Sequence, residues 1–289
     1  MDRKVINAYA KINLALDVVR RRENGYHDLR MIMQTVDLCD VLTIEKIPEG
    51  IELDGNVPGL SYDSTNLIWK AAALVKETFA VKEGVKIYLE KNIPMAAGMA
   101  GGSTDAAAVF NGMNELFGLN ASKEKLCELG VKIGADVPYC IMGGTYLAEG
   151  IGEVLTKLPP VVHCPLLIVK PDFDVSTKYV YENIHANELK SHPDVDGMIK
   201  AIENKSLEGI CSLMENVMET VTEVKYPRIA ELKRIMEECG AMKAMMSGSG
   251  PTVFGLFPDD ESVAKAEAYI RAQGMEKQIF RASFTDSIM

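Results

Sequence analysis

Residues 94–108 read Pro-Met-Ala-Ala-Gly-Met-Ala-Gly-Gly-Ser-Thr-Asp-Ala-Ala-Ala, and the fold follows from how this stretch is read. Glycines among small residues let a backbone come close to an anion. Ser103 and Thr104 add hydroxyl donors. The alanine run that follows predicts a helix over about 104–117, ending at Gly118. A helix starting beside such a loop turns free N–H groups and its positive dipole end toward it. A triphosphate is the natural ligand for this arrangement. The plainer reading is a tight strand-to-helix turn packed closely for its own sake, and the stretch alone leaves both open. A Walker A loop is excluded because no lysine follows Gly102. A Rossmann fingerprint is excluded by the glycine spacing.

Upstream, short apolar runs at 3–8, 12–19 and 30–36, and period-two alternation at 41–45, predict strands. Asn24-Gly25 marks a turn between two of them. Lys11 and Asn13 interrupt this apolar pattern and, two residues apart, share one face of a strand. Leu67, Ile68, Ala71, Leu74, Val75 and Phe79 fall on one helical face, with Ser64 or Thr65 as the expected N-cap. Residues 85–90 return to strand alternation.

Downstream, a helix is expected at about 123–134, then Gly134-Ala-Asp136-Val-Pro138. Proline pushes Val137 toward extended geometry, so 137–142 is expected as a strand with Asp136 at a helix-to-strand junction. A carboxylate there can serve as a general base; a turn or cap aspartate is the plainer reading. Pro159-Pro160 is the candidate domain boundary. Beyond it lie a strand at 166–169, helices near 197–219 (broken near Ser206), 228–239 and 261–273, and strands near 242–246, 252–257 and 277–284. A second glycine loop, Ser247-Gly-Ser-Gly250, sits among them. Strands mixed with helices without regular βαβ alternation predict an α+β fold.

Composition narrows the function. The chain has 289 residues, 47% of them apolar and 25% charged, which suits a globular enzyme of one large or two ordinary domains. A net charge of −10 argues against nucleic acid as a partner. The start, Met1-Asp-Arg-Lys, carries no apolar signal region, and no apolar run approaches a membrane span, so a cytoplasmic protein is expected. None of the six cysteines sits in a CxxC pair, so free thiols are expected. The four histidines have no ligand spacing, so no protein metal site is expected.

Taken in order, Lys11 and Asn13, Tyr26-His27, the 94–108 stretch, Gly-Ala-Asp-Val-Pro at 134–138 and Ser247-Gly-Ser-Gly250 resemble the GHMP kinase superfamily from about residue 6 to about 257. The N-terminal Ala-Lys-Ile-Asn-Leu with Gly25-Tyr-His, and the 134–138 segment, resemble most closely its branch that phosphorylates a cytidine-diphosphate-linked methylerythritol on the methylerythritol phosphate route to isoprenoids. The resemblance implies ATP as phosphoryl donor, Mg²⁺ with it, and a small-molecule hydroxyl, the 2-hydroxyl, as acceptor. It implies Asp136 as base, with Lys11 beside it to hold it ionised. Pro94, Met95, Ala96, Ala97, Gly98, Met99, Ala100, Gly101, Gly102, Ser103 and Thr104 match the ATP phosphate loop, and Asn66 a position near adenine. Asn13, Tyr26 and His27 match substrate positions, and Tyr181 an aromatic residue that packs on cytosine. Its hydroxyl requires water or a hydrogen-bond partner.

The implied fold has a part resembling the second domain of ribosomal protein S5 (1–158) and a ferredoxin-like part (159–289), with the active site between them. Alanine disfavours positive φ, so any loop position needing it should fall on Gly98, Gly101 or Gly102. Two other readings stay open: a superfamily kinase for homoserine or mevalonate, which would not need Tyr26, His27 or Tyr181, and a non-catalytic ATP-binding protein, which would not need Lys11 and Asp136.

Overall fold

The computed structural model describes residues 2–286. Its first sheet is built on two long antiparallel strands, β1 (Arg3–Arg21) and β2 (His27–Ile47), joined through the turn at Gly25, φ +86°. The separate short strands expected here merge into these two. The polar breaks at Lys11 and Asn13 are register shifts between Tyr9 and Lys11 and between Asn13 and Ala15, not chain ends. Residues 10–18 of β1 are all buried, on both faces of the sheet, so period-two polarity is lost over that span.

The sheet continues with β3 (Ile51–Gly55), β4 (Gly84–Glu90), β5 (Thr145–Gly150) and β6 (Val154–Lys157). Its strand order is β3-β4-β2-β1, with β5 on β2 and β6 on β5. A second, antiparallel sheet holds β7 (Pro165–Lys170), β9 (Lys243–Met246), β10 (Val253–Leu256) and β11 (Gln278–Ser283) in the order β11-β7-β10-β9. Between β7 and β9 in sequence, the two-residue β8 (Glu215–Asn216) crosses back and pairs in parallel with Ala15 and Leu16 of β1.

Helix α1 (Leu67–Thr78) is capped by Asn66, whose side chain accepts from Ile68 N–H, rather than by Ser64 or Thr65. Helix α2 (Gly101–Leu116) starts three residues earlier than the alanine run suggests and is buried along most of its length. Its small residues let it approach the sheet. A Cβ on Gly112 would meet Ile44 Cδ1 at 2.6 Å. Helix α3 (Lys123–Gly130) follows.

The strand expected over 137–142 is a helix, α4 (Val137–Met142), with Asp136 as its N-cap residue at φ −80°, ψ −15°. Pro138 falls at the helix start, where its missing N–H costs nothing. That placement overrides the pre-proline preference of Val137.

The second half adds α5 (Thr177–Asn183), a 3₁₀ turn (Ala186–Glu188), α6 (Val195–Glu203), α7 (Leu207–Leu213), α8 (Glu219–Lys225), α9 (Arg228–Glu238) and α10 (Asp260–Ala272). The span expected as one broken helix near 197–219 is thus α6, α7 and β8. Helix α5, which carries Tyr181, has no counterpart in the sequence pattern.

The core has two parts that meet at β1. Ile6, Ala8, Leu16 and Val18 pack with α1, α2 and β4. Ala10, Ile12 and Leu14 pack with Leu166, Ile168 and Phe254 of the second sheet. The polar break at 11–13 therefore lies where β1 passes between the two halves.

Candidate active site

A cavity of about 730 Å³ opens at this point, in the size range of small-molecule sites. It is lined by Lys11 and Asn13 of β1, by residues 94–103, by Asp136 at the head of α4 and by Tyr181 of α5. Residues far apart in sequence and expected to act together thus share one space. Gly248 and Ser249 of the second glycine loop, Thr177, Ile151, Lys91 and Asp105 also line it.

The 94–104 loop does not place its positive φ where expected. Gly98 has φ +70°, but the other two such residues are Ala96 (φ 50°) and Ala100 (φ 57°). Gly101 and Gly102 are helical. A left-handed alanine costs about 1–2 kcal/mol, and here it turns the chain into α2. Gly101 serves by its size instead, since a Cβ there would sit 2.9 Å from Lys91 Nζ and 3.3 Å from Ile93 Cγ2. The start of α2 has no side-chain cap and no acid in its first turn. Its N–H groups and dipole are therefore available to an anion.

The two hydroxyls of the loop part ways. Ser103 lines the cavity. Thr104 is fully buried and donates its hydroxyl to Tyr9 C=O at 2.7 Å, so the expected second donor is committed elsewhere.

Lys11 is 5% exposed, and its ammonium donates to Asn13 Oδ1 at 2.8 Å. Among the described residues it forms no ion pair, so the expected contact with Asp136 is not made directly, although both groups line the cavity. The Asp136 side chain makes no cap hydrogen bond to its own helix. Asn66 lines the cavity too, but its amide is occupied, accepting from Ile68 N–H and donating to Ser61 C=O at 2.7 Å.

At the other end, Tyr181 stacks on His27 with ring centroids 5.1 Å apart. Burial pushes the Tyr181 hydroxyl up, as does the carboxylate of Asp136, so it stays a donor. His27 is buried, and among the described residues its Nε2 has no hydrogen-bond partner. Burial, then the nearby Arg21, hold its imidazole below the usual histidine range, and so neutral. Tyr26 sits on the hairpin, 59% exposed, and is not a lining residue.

Lys91 and Asp105 lie outside the set that sequence reasoning singled out. Lys91 Nζ bonds Asp40 Oδ2 and, at 2.9 Å, Asp105 Oδ2. Asp40 Oδ1 accepts from Asn92 N–H at 2.6 Å and Ile93 N–H at 2.7 Å. The cluster ties both ends of the loop to β2. Its signal in the sequence is an acid, Asp105, set directly before three alanines of a buried helix.

The N-terminal domain of the GHMP kinases matches residues 66–144 and their C-terminal domain residues 198–275. The chain belongs to the GHMP kinase family. A 4-diphosphocytidyl-2-C-methyl-D-erythritol kinase of Lachnospira eligens is 51% identical to this GHMP kinase over 276 residues, 95% of this chain and 96% of the relative. One of Lachnoclostridium phytofermentans is 50% identical over 99% of both. The crystal structure of a 4-(cytidine 5'-diphospho)-2C-methyl-D-erythritol kinase superposes with a TM-score of 0.85 at 30% identity, covering 98% of this chain and 100% of that one. The homoserine kinase of Cytophaga hutchinsonii, at TM-score 0.81 and 19% identity over 99% of this chain and 96% of that one, shares the fold. This GHMP kinase is an ATP-dependent kinase of α+β architecture, with an S5-like first part and a ferredoxin-like second part.

Proposed function

We propose that this kinase transfers the γ-phosphoryl group of ATP to the 2-hydroxyl of 4-diphosphocytidyl-2-C-methyl-D-erythritol, giving the 2-phosphate and ADP in isoprenoid precursor synthesis. The observation that carries this is one cavity holding Lys11, Asp136 and the uncapped start of α2 together with Tyr181. The relatives at about 50% identity over nearly the whole chain supply the substrate class. Nothing in the site favours homoserine or mevalonate.

The chemistry follows from the lining. The start of α2, Ser103 and the 94–103 backbone hold the triphosphate. Asn66, with its amide occupied by its helix and loop, shapes the adenine end. Asp136 takes the proton as the hydroxyl oxygen bonds to the γ-phosphorus, and the bond to the β,γ-bridging oxygen breaks to release ADP. Lys11, with no carboxylate partner among the described residues, offsets the charge that builds on the transferring group. Asn13 fixes the direction of the Lys11 ammonium and offers its amide to the acceptor. Tyr181, backed by neutral His27, gives one ring face to cytosine.

Among the described residues no three His, Cys, Asp or Glu side chains form a metal cluster. The protein oxygen beside the phosphate loop that would fit Mg²⁺ is the Ser103 hydroxyl, with phosphate and water oxygens supplying the rest. When bound, the ion would supply charge neutralisation for the triphosphate.

We place the domain boundary at 158/159, between β6 and β7, with β8 and the bridge from Phe284 to Val36 crossing back. Among the described residues no helix is long and apolar enough to cross a membrane, and the phosphorylated substrates are soluble, which supports work in the cytoplasm. ADP release measured with the cytidyl substrate, free methylerythritol, homoserine and mevalonate tests the assignment. Turnover of the cytidyl substrate is expected, and preference for one of the others would replace this reading.

A further inference from the structure

The second glycine loop lies directly against the first. Ser247 Oγ donates to Gly98 C=O at 3.0 Å across 149 residues of sequence. The Ser247 carbonyl oxygen lies 2.1 Å from where a Cβ on Gly98 would be. A Cβ on Gly248 would meet Gly98 C=O at 2.9 Å and the Lys11 ammonium at 3.5 Å. No side chain fits at either glycine, so a backbone-on-backbone contact sets the height of Gly98 and backs Lys11.

The position of that second loop depends on Asn216. It is 2% exposed and sits on β8, which is paired to β1 at Ala15 and Leu16, a few residues beyond Lys11. Its Nδ2 donates to Met246 C=O at 2.9 Å and to Gly248 C=O at 2.8 Å. Its Oδ1 accepts from Met218 N–H at 3.0 Å. Both amide donors and the acceptor are thus engaged, as only Asn or Gln permits. Glu219 Oε1, accepting from Met246 N–H at 2.8 Å, holds the same strand end from α8.

We propose that Asn216 is a positioning residue for phosphoryl transfer: through Met246 and Gly248 it holds the 247–250 loop against Gly98 and the Lys11 ammonium, registering the phosphate loop to the strand that carries Lys11. This rests on the kinase reading above. The residue touches neither nucleotide nor acceptor. It acts by coupling β1, which carries Lys11, to the loop that braces the phosphate loop. A buried amide with three satisfied bonds has one favoured orientation, so the brace is rigid.

The test uses the full chain and steady-state ADP release. Asn216→Ala removes the brace, and Asn216→Asp puts a carboxylate against two carbonyl oxygens. A misplacement of about 1 Å at a reacting centre costs on the order of 10²-fold, so kcat of Asn216→Ala is expected to fall about 10- to 100-fold with the KM for the cytidyl substrate within about twofold. Ile229→Ala, a core substitution on α9 outside the site, provides a control of matched or greater Tm loss and is expected to keep its kcat. Ser247→Ala, which deletes only the bond to Gly98, is the second variant should Asn216→Ala fail to fold. Its kcat is expected to fall by a smaller factor while the KM for ATP rises. Wild-type turnover in the same assay carries the kinase reading independently. A folded Asn216→Ala with kcat within twofold of wild type, a control that loses kcat equally, or a silent Ser247→Ala overturns the positioning role.

Discussion

Two lysines lie near the start of α2, both almost fully buried, and they have opposite electrostatic circumstances. Lys91 is held between Asp40 and Asp105. Lys11 has a neutral partner, Asn13, and no carboxylate partner among the described residues. A buried ammonium paired with a carboxylate, here Asp40, is already compensated and serves to fix backbone. A buried ammonium bonded to an amide keeps most of its field for whatever anion enters the cavity. Burial alone therefore does not separate a structural charge from a working one; the partners do.

The largest expected effect breaks the comparison at Lys11. Lys11→Met and Asp136→Asn should each lower kcat by about 10²–10⁴, the range for loss of a positioned acid–base or charge-stabilising group, with Tm changed little. Stopped-flow or coupled kinetics beside a melting curve checks it, and a large Tm loss with normal kcat would reverse the roles of the two lysines.

Lys91→Met should show the opposite profile. Breaking a buried pair strands charge, at a cost of about 3–5 kcal/mol of stability. Chemical denaturation should record that loss, and whatever remains folded should retain substantial kcat.

Tyr181→Ala sharpens the other end of the cavity. One base–aromatic stack is worth about 1–3 kcal/mol, so the KM for the cytidyl substrate should rise accordingly while the KM for ATP stays nearly constant. Equal losses for both nucleotides would move the cytosine subsite elsewhere.

The smallest effect concerns Asp105. Burial raises its carboxyl well above the ordinary 3.8, against the pull of Lys91, and among the described residues Oδ1 has no partner. A raised carboxyl contributes stability that is complete below 3.8 and is lost as pH rises toward the folded value. The amide of the Asp105→Asn variant does not titrate in this range. The Tm of that variant minus that of wild type should therefore grow as pH rises above 3.8. A difference that shrinks with rising pH would mean the carboxyl is held charged by Lys91.

Much of the fold was legible because its signals are local. The turn at Gly25, the α1 face and the strand–loop–helix succession around 94–116 follow from periodicity and from glycine. What misled was also local. At 137–142 the pre-proline preference pointed to a strand, yet Pro138 at a helix start satisfies the same sequence. The breaks at Lys11 and Asn13 marked bulges in one long strand, because a bulge and a strand end leave similar polar traces. Helix α5, seven residues long, has too few turns to declare a face.

The sequence by itself determined the chemical inventory of the site: the loop and the helix after it, Lys11 and Asn13 on one side of a strand, and Asp136 at a junction. Tertiary structure alone decided which of these groups are free to act. Ser103 and Thr104 are adjacent and point about 100° apart on α2, and which one meets the cavity was settled by Tyr9 C=O, 95 residues away, taking the Thr104 hydroxyl. Likewise Asp40, 51 residues from Lys91, pairs with that lysine, while among the described residues no acid reaches Lys11. Identity and spacing fix what a group can do, but its partners arrive from distant segments, and the field and hydrogen bonds they bring determine what it does.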